Sequence, residues 1–182
     1  MAEFNRFTLM VMRSDKRENS VYLSLGTNIG DRLAHLKQAT KMLQMLATEE
    51  IKVSVVYESA PWGNGLLCFF LNCVVHIKTT LDPFLLLQRT QEIEKEMGRA
   101  EKATGKLYEN RMIDIDILTF NLTTINSKTL AIPHPMLTNR RFVLLPFSDL
   151  APHFQLPYSL YSIEKHLAVC EDYLQCDRFE AL

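Results

Sequence analysis

Two aspartates separated by one residue, Asp114 and Asp116 in RMIDIDILTF, are the feature of this sequence that most directly suggests chemistry. They alternate with Ile113, Ile115 and Ile117, the pattern of a half-buried β-strand. In such a strand both carboxylates project from one face, with Cα atoms about 7 Å apart. Asp is among the residues least suited to strands, so a pair on one face calls for a reason. Like charges so placed repel, and they gain most from divalent cations seated between or above them. Magnesium favours one or two carboxylates together with substrate phosphate oxygens, which suits a two-metal arrangement. The bland alternative is a solvated strand carrying two chance acids.

Cations surround this strand in the sequence. Arg99, Lys102, Lys106 and Arg111 lie in the loop that feeds it, opposed only by Glu101 and Glu109, and Arg140 and Arg141 follow His134. Guanidinium groups for phosphate oxygens and carboxylates for metal are the two halves of a polyphosphate site. A glycine-containing cationic loop of this length suits a lid, and a solvated loop of ordinary charge would look the same. Neither G-x-x-x-x-G-K-[ST] nor G-x-G-x-x-G occurs, so side chains and metal would have to hold any nucleotide. Phe70 and Asn72 share the parity of a polar sheet face, and Phe142 stands beside the arginine pair. A flat heterocycle could stack between two phenyl rings while an amide pairs with its edge, although each Phe taken singly fits a core as well. His76 reads as a bystander. Trp62, between Pro61 and Gly63, fits a pocket wall or a lid over the core edge.

The elements that must position these residues follow from periodicity. Val21, Leu23 and Leu25 begin a strand that ends in GTNIGD, where Asp31 caps a helix with the stripe Leu33, Leu36, Leu43, Leu46. Residues 51–58 form a second strand and 68–79 a third. Asp82-Pro83 starts a second helix that stops at Gly98, and 113–120 is a strictly alternating fourth strand. Strand-helix-strand-strand-helix-strand is the α+β, ferredoxin-like βαββαβ plan, four antiparallel strands with helices on one face. Parity assigns Val21, Leu23, Leu25, Val53, Val55, Phe69, Leu71, Cys73, Ile113, Ile115 and Ile117 to the helix side. Tyr22, Ser24, Phe70, Asn72, His76, Asp114 and Asp116 fall on the other. Extra C-terminal elements are a short hairpin, a helix over 140–150 and one within 163–173.

Length and composition set the outer bounds. With 182 residues, 47% hydrophobic and 23% charged, the chain has globular composition, and we expect one domain over 20–182 behind a flexible extension, 1–19. A net charge of −1 removes the bulk attraction on which non-specific nucleic-acid binding depends. No apolar run is long enough for a bilayer, and the run at 7–12 is too short for a signal-peptide core. Cys68, Cys73, Cys170 and Cys176 fit neither a disulfide framework nor a zinc pattern, so a cytoplasmic setting is expected. Nothing specifies an oligomer, and a monomer is the simplest expectation.

Five fragments taken together resemble the 6-hydroxymethyl-7,8-dihydropterin pyrophosphokinase family of folate biosynthesis. They are YLSLGTNIGDR at 22–32, YESAPWG at 57–63 with FFLN at 69–72, QEIEKEMGR at 91–99, RMIDIDILTF at 111–120 and IPHPMLTNRRFVLLP at 132–146. The resemblance covers about 21–152 and implies a ferredoxin-like fold, two magnesium ions, and transfer of the β,γ-diphosphate of ATP to the pterin hydroxymethyl group, leaving AMP. It implies metal binding by Asp114 and Asp116 and catalytic roles for both with Arg99 and Arg111. ATP would be lined by Gln91, Glu94, Arg99, Arg111, Ile117, His134 and Arg140. Phe70 and Phe142 would sandwich the pterin, Asn72 would bond its edge, and Ser59, Pro61, Trp62 and Asp114 would complete that pocket. Partners would be these two small molecules, with neither nucleic acid nor membrane. The chain departs from the family pattern at Phe70, usually Tyr, at Tyr108-Glu109-Asn110, usually of Trp-Gly-Pro type, and at Pro135, often aromatic. A single-strand RNA binder or a ligand-sensing module of the same fold are the competing classes. The acidic face argues against the first, and the arginine-rich lid against the second.

Overall fold

Asp31 and Asp82 open the two long helices as their sequence context requires. In the computed structural model, which describes residues 17–61, 68–98 and 110–181, Asp31 accepts the Ala34 N–H at the start of α1 (Arg32–Gln44). Asp82 accepts the N–H groups of Phe84 and Leu85, and Pro83 occupies the first position of α2 (Pro83–Glu96). Gly98 ends α2 with φ of +96°, a backbone that other residues adopt only under strain. The apolar stripes bury Leu36, Ala39 and Leu43 of α1, and Leu86 and Ile93 of α2, against one face of a sheet.

That sheet has six strands, two more than the sequence pattern gives. It comprises β1 (Asn19–Thr27), β2 (Lys52–Val53), β3 (Val55–Ser59), β4 (Phe70–Thr79), β5 (Asp114–Phe120) and, after the hairpin β6 (Ile125–Asn126) and β7 (Ala131–Ile132), β8 (Cys176–Ala181). The order is β5-β1-β4-β3-β8, β2 also lies against β4, and every pairing is antiparallel. One added strand arises because Ser54 splits the second predicted strand. Its N–H donates to Val74 O while its Oγ accepts the Val74 N–H, so a hydroxyl replaces a backbone acceptor and shifts the register. Parity flips there, and Val56, not Val55, enters the helix-side core. The other addition, β8, runs along β3.

Elsewhere on that face parity holds: Val21, Leu23, Leu25, Leu71, Cys73, Ile113, Ile115 and Ile117 are buried together, and Val53 packs against them. Phe69 lies just before β4 and is exposed. The fourth strand does not alternate strictly. Leu23 faces Ile117 while Tyr22 faces Thr119, so Leu118 is an extra residue and drops into a second core.

The opposite face is not bare, which corrects the expectation of helices on one side only. After a 3₁₀ turn (Leu137–Asn139), α3 (Arg141–Leu150) and α4 (Ile163–Ala168) bury Val143, Leu144, Phe147 and Ile163 with Val74 and Leu118. Tyr22 stacks between His76 and Phe147, 4.6 Å from each ring centroid, which makes His76 part of the packing. α4 stops well short of Tyr173. At the other end β1 begins at Asn19, ahead of Val21, because Asn19 Nδ2 donates to Leu81 O and Glu18 accepts from Thr48 Oγ1. The rest of the proposed leader, 1–16, lies outside the described residues. The four cysteines are unpaired, and no helix among the described residues is long and apolar enough to cross a membrane.

Candidate active site

The register of three strands builds one polar row. Asp114 of β5 faces Gly26 of β1, and Gly26 faces Asn72 of β4. One step along, Asp116 faces Ser24. Gly26 leaves a gap in the middle of the first row: a Cβ there would stand 3.3 Å from Asn72 Oδ1 and 3.9 Å from Phe70 Cδ1. Asn72 is buried and held, since its Nδ2 donates to the buried Ser59 Oγ at 2.9 Å. Its carbonyl oxygen is thereby turned over Gly26, an acceptor presented to whatever fills the gap.

Asp114 accepts a 2.5 Å charge-assisted bond from Arg111, with their side chains 24% and 31% exposed. Arg111 is fixed through its backbone. Its N–H donates to Asn28 Oδ1 at 2.6 Å, its carbonyl accepts the Asn28 N–H at 3.1 Å, and Asn28 Nδ2 donates to Asn110 Oδ1 at 2.7 Å. The buried Asn28 thus clamps the chain as it enters β5. From its sequence GTNIGD reads only as a turn with a helix cap; an asparagine just beyond a strand end, inside a glycine-bracketed turn, is the signal for the clamp.

Glu94 stands apart from the polar row. It is buried on α2, and its Oε1 accepts the Ile115 N–H at 2.7 Å. β5 is an edge strand, so an amide pointing away from β1 needs a partner, and Glu94 supplies it between the two aspartates. Gln91, one turn earlier, is exposed. Ile117 belongs to the helix-side core, its side chain turned away from the carboxylates, so only its backbone is left to line a nucleotide there.

His134 approaches Asp116 from the segment after β7, with Nε2 4.0 Å from Asp116 Oδ2. Its Nδ1 accepts the Met136 N–H at 3.2 Å, so the neutral ring carries its proton on Nε2, facing the carboxylate. Burial, aided by the positive charge of Arg140, lowers its pKa to about 4, against a weaker upward pull from Asp114. The ring is therefore neutral at neutral pH. Arg140 itself lies over Phe142, its guanidinium carbon 5.7 Å from the ring centroid, and Phe142 is half-buried at the start of α3.

The structure thus gathers Arg111, Asp114, Asp116 and His134 at one end of the row. It sets Ser59, Asn72 and Phe70 around the gap at Gly26, and Arg140 with Phe142 on α3. Pro61 follows β3 and is half-buried. Trp62, Arg99, Lys102, Lys106 and Tyr108 lie outside the described residues. Among the described residues no three His, Cys, Asp or Glu side chains converge as a metal cluster.

Half-exposed carboxylates beside cations, on an antiparallel sheet backed by helices, are the equipment of an α+β phosphotransferase. Residues 22–152 match the family of 7,8-dihydro-6-hydroxymethylpterin-pyrophosphokinase (HPPK), and the chain belongs to that family. It is 44% identical over 133 residues to the 2-amino-4-hydroxy-6-hydroxymethyldihydropteridine pyrophosphokinase of Porphyromonas gingivalis, covering 72% of this chain and 90% of that protein. The same-named protein of Bacillus subtilis is also 44% identical over 133 residues, 72% of this chain and 78% of that one. The folic acid synthesis protein FOL1 of Dictyostelium discoideum is 38% identical over 146 residues, 79% of this chain but 21% of that protein. Among solved structures, Plasmodium falciparum HPPK-DHPS wild type with pteroate superposes with a TM-score of 0.64 at 20% identity, covering 84% of this chain and 42% of that one. The chain spans less than half the length of that structure, so the likeness speaks for the fold. Family membership makes the chain a pyrophosphokinase of folate synthesis.

Proposed function

We propose that the polar row is where this pyrophosphokinase brings ATP and 6-hydroxymethyl-7,8-dihydropterin together, so that the β,γ-diphosphate passes to the hydroxymethyl oxygen and AMP leaves. The observation that carries the reading is the row itself, in which Asp114, the empty side-chain position of Gly26, and Asn72 lie across three strands. A flat, polar ring fits the gap between Phe70 on β4 and Phe142 on α3, with the Asn72 carbonyl oxygen accepting from its edge. Ser59 holds that amide in place, and Pro61 and Trp62, next in the chain, would complete the pocket.

Asp114 and Asp116 would hold two magnesium ions. Their oxygen-only, half-exposed donors suit a hard cation that keeps substrate oxygens in its shell, and the neutral His134 beside them adds no competing charge. Magnesium bound with ATP would neutralise phosphate charge and align the transferred group with its acceptor. Arg111 stands where it can exchange its bond with Asp114 for one to a phosphate oxygen, and Arg99 would join it from the preceding segment. Arg140, His134 and Gln91 would flank the nucleotide, while Glu94 acts through β5 by fixing the strand that carries both aspartates. The alcohol is a weak nucleophile and no strong base lies beside the row among the described residues. Positioning and charge neutralisation must therefore supply most of the acceleration.

The strand order β5-β1-β4-β3 supports reading these four strands as ferredoxin-like, with β2 and β8 as additions. Four unpaired cysteines support a reducing, cytoplasmic setting, with small molecules rather than nucleic acid or membrane as partners. Incubation with ATP, magnesium and the reduced pterin tests the reading: AMP and a diphosphorylated pterin are expected. ADP instead would mark an ordinary kinase, and no nucleotide product a binding module.

A further inference from the structure

Helix α3, which presents Arg140 and Phe142, starts badly by its own resources. Its cap residue and its first residue are both arginines, although the N-terminal dipole favours negative charge, and Arg140 at the cap makes no side-chain bond to the first turn. The acceptor comes from far along the chain: Asp172 Oδ2 accepts the Arg141 N–H at 2.9 Å. Asp172 Oδ1 accepts the Leu174 N–H at 3.2 Å, which holds the carboxylate in a tight turn. The next residues tie that turn to the other wall of the site. Gln175 O accepts the Ala60 N–H at 2.9 Å, and Cys176 of β8 faces Ser59, the residue that holds Asn72. Asp172 also lines an open cavity of ≈ 720 Å³ with Thr138, Asn139 and His166.

We propose that Asp172 is a positioning residue for the reaction: by capping α3 from the C-terminal segment, it fixes where Arg140 and Phe142 stand against the two substrates. Asp172 lies beyond the 22–152 span of the family match, so this chain's own C-terminal segment supplies the cap. The donor it engages sits between Arg140 and Phe142 in sequence, and fraying of an uncapped first turn would loosen both. The inference rests on the substrate contacts proposed above for those two side chains.

Steady-state constants for both substrates decide it, measured in Asp172→Ala, Asp172→Asn, Arg141→Pro and the double variant Arg141→Pro/Asp172→Ala. Asp172→Ala should raise both KM values roughly fivefold, the scale of one lost cap, with kcat within about twofold. Asp172→Asn keeps one acceptor oxygen for two donors, the N–H groups of Arg141 and Leu174, and should raise both KM values by no more than Asp172→Ala does. Proline at the first helical position needs no acceptor, and the extended backbone of Arg140 accommodates a following proline, so in that background Asp172→Ala should change neither KM. Unchanged constants in Asp172→Ala, a greater loss in Asp172→Asn than in Asp172→Ala, or an undiminished effect in the proline background would each overturn the proposal. If Asp172→Ala alone does not fold, the double variant decides: it folds if capping is the task of Asp172 and does not if other contacts matter. AMP formation by the unaltered chain tests the site separately, so a failed site and a failed cap are told apart.

Discussion

The two faces of the sheet obey one alternation and are held by different forces. Beneath α1 and α2, Leu23, Leu25, Leu71, Cys73 and Ile115 are buried side by side, and burial of apolar area, which has no direction, accounts for their order. The other face is divided. One half packs Val74, Leu118 and Phe147 under α3. The other half leaves Asp114 and Asp116 half exposed, and neighbours chosen for charge and hydrogen-bonding geometry set their directions: Arg111, His134, and Glu94 through the strand backbone. A face closed by packing should tolerate exchange of like for like, whereas the open row, if it holds the substrates as proposed, should lose function with a single atom.

The sharpest way to break that contrast is Asp116→Asn, which keeps shape and removes charge. Turnover to AMP should fall on the order of a thousandfold under saturating magnesium, while the melting temperature barely moves. Near-full activity would remove the carboxylate pair from the chemistry. Phe147→Ala should do the reverse. Deleting a fully buried ring costs about 3–5 kcal/mol in urea unfolding, with a smaller change in activity per folded molecule than in Asp116→Asn.

His134 offers a third test through pH. Its pKa of about 4 in the folded chain lies below the ordinary histidine value, so between those two values the unfolded chain binds more protons. Stability therefore rises with pH across that window and is lost as pH falls through it, by at most roughly 3 kcal/mol from this residue. His76 and His166, also lowered by burial, act in the same direction. Urea midpoints from pH 4 to 7 should slope less steeply in His134→Gln than in the unaltered chain. Equal slopes would mean that His134 titrates normally.

Much of this was legible because it is local. Strand parity located the helix-side core in β1, β4 and β5, Asp31 and Asp82 marked helix starts, and the D-x-D spacing put both acids on one face. What escaped depends on partners distant in the chain. Ser54 breaks a strand by lending its hydroxyl to Val74, and nothing beside it announces that exchange. CDRFEA reads as a polar tail until it is seen to lie along β3. The bond that Glu94 accepts from an edge-strand amide is one that only the sheet order exposes. Asn28 and Asp172 escaped for the same reason: each caps or clamps backbone that is remote in sequence.

The smallest expected effect is also the finest probe of the open row. In Gly26→Ala the new methyl carbon would meet Asn72 Oδ1 at 3.3 Å, and Asn72 cannot easily yield because Ser59 holds its amide. Alanine in a strand interior gains up to about 1 kcal/mol over glycine by restricting the unfolded chain, and the crowding opposes that gain. Stability should therefore stay within about 1 kcal/mol of the unaltered chain. The gap would nevertheless be partly filled, and KM for the pterin should rise roughly tenfold, with KM for ATP changed much less. A rise confined to ATP would place the nucleotide over Gly26. An unchanged KM for both would mean that the missing side chain serves the sheet and not the substrate.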